Sequence, residues 1–251
     1  MSDNHILVEC YGLVQIIRLN RPEKKNAITR AMYQAMTDAL KNGECEDAIH
    51  AHVILGSEGA FSAGNDMQDF MAFAMGGAMG TEVFDFLMCL STLKKPIVSG
   101  VDGLAIGIGT TIHLHCDMTF ATPLSTFKTP FVDLALVPEA GSSLLGPAMM
   151  GHQRAYAMFA AGEGFSADEA REAGLIWKVV DQAELEVSVM TCARSLAAKP
   201  PIALALAKQL LRPEIAAVQT RIEEEGELFK QQLLSDEAKQ AFMAFMARKA
   251  S

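Results

Sequence analysis

A single carboxylate stands in the least charged part of the chain. Between Gly103 and Gly151 only four residues carry formal charge, Asp117, Lys128, Asp133 and Glu139, and Glu139 lies inside the apolar run LALVPEAGSSLLG, residues 134–146. A stretch so poor in charge reads as protein interior, where an unpaired carboxylate costs several kcal/mol and is kept for a purpose. Two purposes fit. Glu139 could carry a proton to and from a bound substrate, or its side chain could cap the small turn or helix that starts at Gly141.

Other patterns narrow the chemistry. The segment GLAIGIGTTI holds Gly107 and Gly109 but has neither the third glycine nor the acidic residue of a dinucleotide-binding turn. Its glycines serve tight turns in a compact core, or let a ligand approach the backbone closely. In IHLHC, His113 and His115 stand two apart and point to different faces of a short helix, so with Cys116 they fit ordinary packing better than a metal site. The stretch AGSSLLG is not the G-x-S-x-G of a nucleophile elbow. Met67, Met71, Met75 and Met79 recur at every fourth position, with Phe70 and Phe73 between them. That spacing gives a core-facing helix or an adaptable wall for an apolar ligand, which Gly76, Gly77 and Gly80 would let move.

The elements that must position these residues follow from periodicity. HILVEC and VQIIRLN are β-rich runs on either side of Tyr11 and Gly12, a hairpin, and RPEKKNAI is the loop that follows. Thr29 is the N-cap of a helix whose stripe is Met32, Met36 and Leu40 with Ala35 and Ala39, ended by KNGE. HVILGS, KPIVSGVDG and DMTFATP read as strands, the last two joined by a glycine-rich link and a short helix. Together they predict a wound β-rich core with helices packed outside. Past Gly151 the pattern is amphipathic helix for most of the remaining chain.

At 251 residues, half of them hydrophobic, the chain can bury a large core in one domain. Its 21 basic against 30 acidic residues argue against nucleic acid or an anionic membrane surface as main partner, since both need a basic footprint. The start MSDNHILVEC has neither the basic nor the apolar region of a signal peptide, and no apolar run is long enough to span a membrane. Five scattered cysteines without a C-x-x-C fit a reducing compartment, and a cytoplasmic location is expected.

Four segments, FSAGNDMQDF (61–70), KPIVSGVDGLAIGIGTTIHLHCDMTFAT (95–122), TFKTPFVDLALVPEAGSS (126–143) and SADEAREAGLIWKVV (166–180), resemble the crotonase, or enoyl-CoA hydratase/isomerase, superfamily. The resemblance implies an α/β fold, a spiral of β-β-α units. Residues 1–195 would form the spiral core with its acyl-CoA site, and residues 196–251 a C-terminal helical region for trimerisation. It implies a CoA thioester substrate, no separate cofactor, no metal, and a homotrimer or dimer of trimers. The apolar faces of the last helices, such as Phe242, Phe245 and Met246, agree with that assembly.

Matched position by position, the resemblance places two backbone N–H donors of an oxyanion hole at Asn65 and Ile108. Lys24 and Lys25, with Ala27, fall in a CoA-binding loop and would supply the local positive charge that the acidic total does not. The resemblance further places Ala63, Asp66, Met67, Phe70, Met71, Gly107, Thr111 and Phe131 among the substrate-binding residues. Hydratases of the family keep glutamates where this chain has Thr111 and Phe131, and neither can activate water at neutral pH. Glu139 matches the single catalytic glutamate of the Δ3,Δ2-enoyl-CoA isomerases, and GNDMQDF, FKTPF and LSDEAKQAF look most like their peroxisomal-type branch. The expected activity is Δ3-to-Δ2 isomerisation of 3-enoyl-CoA. The alternatives are another reaction on a CoA thioester, weak hydration or hydrolysis, and an acyl-CoA binder without turnover.

Overall fold

The computed structural model describes residues 4–69 and 80–250. Phe70, Met71, Phe73, Met75 and Met79 lie outside the described residues, as does the side chain of Met246.

The chain opens with the expected hairpin. β1 (Ile6–Tyr11) and β2 (Val14–Leu19) pair antiparallel from Ile6 opposite Leu19 to Tyr11 opposite Val14, and Gly12 takes the positive φ of the tight turn. Thereafter strands come in pairs: β3 (Ala51–Leu55) with β4 (Ala60–Ser62), β5 (Ile97–Val101) with β6 (Leu104–Ile106), and β7 (Met118–Ala121) with β8 (Thr126–Lys128). The first of each pair joins one sheet and the second another. Two-residue strands β9 (Phe165–Ser166) and β10 (Lys178–Val179) complete sheets of order β1-β2-β3-β5-β7-β10 and β4-β6-β8-β9. Every residue of β3 and β5 is buried, His52 and Ser99 included, as in a parallel strand covered on both faces.

Helices α1 (Arg30–Cys45), α2 (Glu82–Thr92) and the four-residue α3 (Ile108–Thr111) leave this spiral. α4 (Ser142–Met150), α5 (His152–Phe159), α6 (Ala167–Glu172), α7 (Leu185–Ala197), α8 (Pro201–Leu211), α9 (Ile215–Leu233) and α10 (Asp236–Ala250) follow. Thr29 caps α1 as expected, its side chain accepting from Met32 N–H. KNGE does not end that helix. Gly43 stays helical because it makes room: a Cβ there would lie 2.5 Å from Gln15 Oε1.

One core fills the space between the sheets and helices, and a second packs α7 on the outer face of β3, β5 and β7. Phe242 belongs to the first core, so it packs within its own chain and is no exposed assembly contact, whereas Phe245 is exposed. The division drawn at residue 195 falls in the last turn of α7. No helix among the described residues is long and apolar enough to cross a membrane.

Candidate active site

Glu139 sits on the turn that leads into α4. Ala140 and Gly141 both adopt left-handed backbone, φ +63° and +69°. For alanine that conformation costs roughly 1–2 kcal/mol, so the surroundings must hold it. They do so from two directions. His115 Nε2 bonds the carbonyl of Ala140 at 2.7 Å, and burial keeps this imidazole neutral by depressing its pKa to about 4. From α9, Glu225 accepts Gly141 N–H at 2.6 Å, Ser143 N–H at 2.9 Å and the Ser143 hydroxyl at 2.5 Å. Glu225, and not Glu139, is therefore the carboxylate that caps α4.

Glu139 is 7% exposed, and Thr111 Oγ1 donates to its Oε1 at 2.5 Å. Burial pushes its pKa up to about 8; the Thr111 bond works against that rise and the negative charge of Glu225 adds to it. A carboxyl group poised near neutrality can take and return a proton within one turnover. Thr111 serves here as the donor to Glu139.

A second wall is built from backbone. Gly64 packs so tightly on the end of β6 that a Cβ would lie 2.8 Å from Ile106 O, and a Cβ on Gly109 would lie 2.8 Å from Ser62 O. These glycines set the segment ending β4 directly against the start of α3. Asn65 pairs with Ile28 as an isolated parallel bridge, and Gly107, φ +57°, turns the chain into α3. Among the described residues no acceptor takes the N–H of Asn65 or of Ile108. The Asn65 side chain is occupied, its Oδ1 accepting the hydroxyl of the fully buried Tyr33 at 2.6 Å.

Glu139 and Asn65 line one cavity of about 520 Å3, with Phe84 and Leu87 of α2 and Ile222 and Phe229 of α9. The loop carrying Lys24, Lys25 and Ala27 is stapled beside it. Lys25 O accepts Ala63 N–H at 2.8 Å, and the Asn26 amide ties the loop to Ala60 O and Phe61 O. Lys24 and Lys25 are exposed and open to an anion. The carboxylate of Asp66 is engaged by Arg21 at 2.6 Å, and Met67 and Phe131 pack with the main core. So Glu139, Thr111, Asn65, Gly107, Ile108, Ala63 and the lysine loop share one neighbourhood, while Asp66, Met67 and Phe131 have structural partners.

Three supports escape sequence reasoning: Tyr33, His115 and Glu225. A signal exists for Glu225. Val218, Ile222, Phe229 and Leu233 are buried at helical spacing, and Glu225 occupies the slot in that stripe where an apolar residue belongs.

Residues 9–251 match the enoyl-CoA hydratase/isomerase family. Rat enoyl-CoA delta isomerase 2 is 36% identical over 251 residues, covering 97% of this chain but 64% of the relative, so the chain spans less than two thirds of that protein. The 1,2-epoxyphenylacetyl-CoA isomerase of Escherichia coli K12 is 31% identical over 94% of this chain and 93% of its own. The solved structure of Pseudomonas aeruginosa OdaA superposes with a TM-score of 0.92 at 37% identity, covering 97% of this chain and 99% of that one. The expected α/β spiral is thus the fold observed.

Proposed function

Because this chain belongs to the enoyl-CoA hydratase/isomerase family, we propose that it is a Δ3-to-Δ2 enoyl-CoA isomerase whose acid/base is Glu139. One observation carries this reading. The buried carboxylate on the cavity is Glu139, while the two hydratase positions hold Thr111, which donates to Glu139, and Phe131, which is part of the core.

The ionised Glu139 removes a proton from C2 of a 3-enoyl-CoA. The C2–H electrons form a C1–C2 double bond as the carbonyl pair moves onto the thioester oxygen, giving a dienolate; on protonation at C4 the C3–C4 pair makes the new C4–H bond, the C1–C2 pair becomes the C2–C3 double bond and the oxygen pair restores the carbonyl. The N–H groups of Asn65 and Ile108, which have no acceptor among the described residues, stabilise that oxygen, each by about 3 kcal/mol of barrier. Protonated Glu139 then delivers its proton to C4, which regenerates the carboxylate and leaves a conjugated 2-enoyl-CoA. Thr111 steadies the carboxylate between the two transfers. The exposed Lys24 and Lys25 attract the CoA phosphates, and Ile202, Leu206, Leu210 and Leu211, exposed along α8, support assembly of the 196–251 region into a trimer or dimer of trimers. Isomerisation needs no water, which fits a site without a second carboxylate at the hydratase positions.

The test offers pure protein 3-hexenoyl-CoA and 2-hexenoyl-CoA separately. Formation of the conjugated thioester from the first at least about a hundredfold faster than hydration of the second supports the reading. Comparable rates contradict it.

A further inference from the structure

Gly226 stands in the middle of α9 and in the wall of the cavity that holds Glu139 and Asn65. Glycine is the poorest helix former after proline, so a 19-residue helix keeps one near its centre only under a constraint. The two usual constraints do not apply. Its φ lies outside the left-handed region, and a Cβ at this position would meet no described atom within 4 Å beyond the neighbouring turns of its own helix.

The other glycines inside the described helices behave differently. A Cβ on Gly43, Gly109 or Gly146 would come within 2.5, 2.8 or 2.2 Å of Gln15, Ser62 or Phe159. Those positions make room for the protein's own atoms. Among the described residues Gly226 makes room for none, and it lies in the lining of the cavity. Ile222 and Phe229, one turn to either side on the same helix, present apolar groups to that space, and Phe84 and Leu87 face it from α2.

We propose that Gly226 is a notch in the acyl pocket that receives the distal part of a long acyl chain, so that this residue sets the chain length the protein accepts. The proposal rests on the reading of the cavity as an acyl-CoA site. Each methylene buried there tightens binding by about fourfold. A side chain at 226 would take the place of those methylenes, whereas a short chain that ends near Glu139 would not reach it.

The experiment measures binding of two unreactive ligands, hexanoyl-CoA and dodecanoyl-CoA, by titration calorimetry to the wild type, Gly226→Leu and Gly226→Ala. Gly226→Leu should weaken dodecanoyl-CoA binding by at least about tenfold and leave hexanoyl-CoA within about twofold. Gly226→Ala should lose less, about threefold and for the long chain alone, while its Tm rises by about 2 °C as the helix gains a better residue. The alanine variant decides the matter if the leucine variant fails to fold. Equal losses for both ligands, or no loss for dodecanoyl-CoA in either folded variant, overturn the notch. A wild type that binds both ligands but never isomerises 3-hexenoyl-CoA overturns the proposed reaction and leaves the notch standing; one that binds neither overturns both.

Discussion

Two carboxylates meet at the turn of residues 139–143, one carried by the turn and one reaching it from α9. They are buried alike, Glu139 at 7% exposure and Glu225 at 5%, and burial raises the pKa of each. They differ in what they hold. Glu225 takes three hydrogen bonds, from Gly141 N–H and from the N–H and hydroxyl of Ser143, with the Arg221 guanidinium on the same hydroxyl at 3.1 Å. Glu139 takes one, from Thr111, and among the described residues no donor reaches its second oxygen. A carboxylate has about four acceptor positions. Three of those of Glu225 are spent on keeping a left-handed turn in place, whereas among the described residues only one of those of Glu139 is taken, on the wall of a cavity. Burial alone does not mark a reactive group; burial with unspent acceptors facing a cavity does.

Substitutions that treat the two unequally break or sharpen this contrast. The largest effect is expected for Glu139→Gln, which should lower isomerase turnover by about a thousandfold or more while acyl-CoA still binds. Turnover within about tenfold, under 1.4 kcal/mol of barrier, would move the base elsewhere. The same variant has a stability signature. Glu139 binds its proton more tightly folded, at a pKa of about 8, than at the ordinary 4.5. The folded state therefore holds more protons between those values. Its contribution is complete below pH 4.5 and is lost as pH rises through 8. Glu139→Gln should thus gain on the wild type in thermal melts as pH rises across that window, by a few kcal/mol at its upper end.

Next in size is Asn65→Pro, which deletes the N–H and should cost on the order of a hundredfold in kcat if it folds and assembles. Asn65→Ala keeps the N–H, loses the Tyr33 bond, and should stay within about tenfold. A folded alanine variant as slow as the proline one would put the side chain in the mechanism.

The smallest effects oppose one another. Thr111→Val removes the donor that favours ionised Glu139 and should move the rise of kcat/KM to higher pH. Glu225→Gln removes a neighbouring negative charge and should move it to lower pH, with about 1–3 kcal/mol of stability lost as a capped N–H goes unsatisfied. A bond worth about 1 kcal/mol shifts such a limb by just under one pH unit. Shifts in the same direction would mean that the two residues do not act on Glu139 in the manner described.

Much of this was legible in residue order. The hairpin, the Thr29 cap, the buried strands and Glu139 itself each follow from local pattern. β4, β6 and β8 escaped because three residues are too few to display a period. KNGE misled because Gly43 serves a contact with Gln15, which lies 28 positions earlier. Glu225 stayed hidden inside RIEEEGELF, where a charged run reads as a solvated face and its partners at Gly141 and Ser143 lie more than 80 residues away. His115 and Tyr33 look like ordinary core from their neighbours in sequence. What the chain spells locally is the lone buried carboxylate proposed as the base; what holds its turn in place is written across the fold.

The pH dependence of kcat/KM for 3-hexenoyl-CoA tests the central claim most directly. If a single buried carboxylate must be ionised before it can take the C2 proton, the rate should climb with pH along one ionisation, reach half its maximum near pH 8 and level off above. A profile that is flat or falling as pH rises from about 6 to about 9 would contradict the assignment of Glu139 as the base.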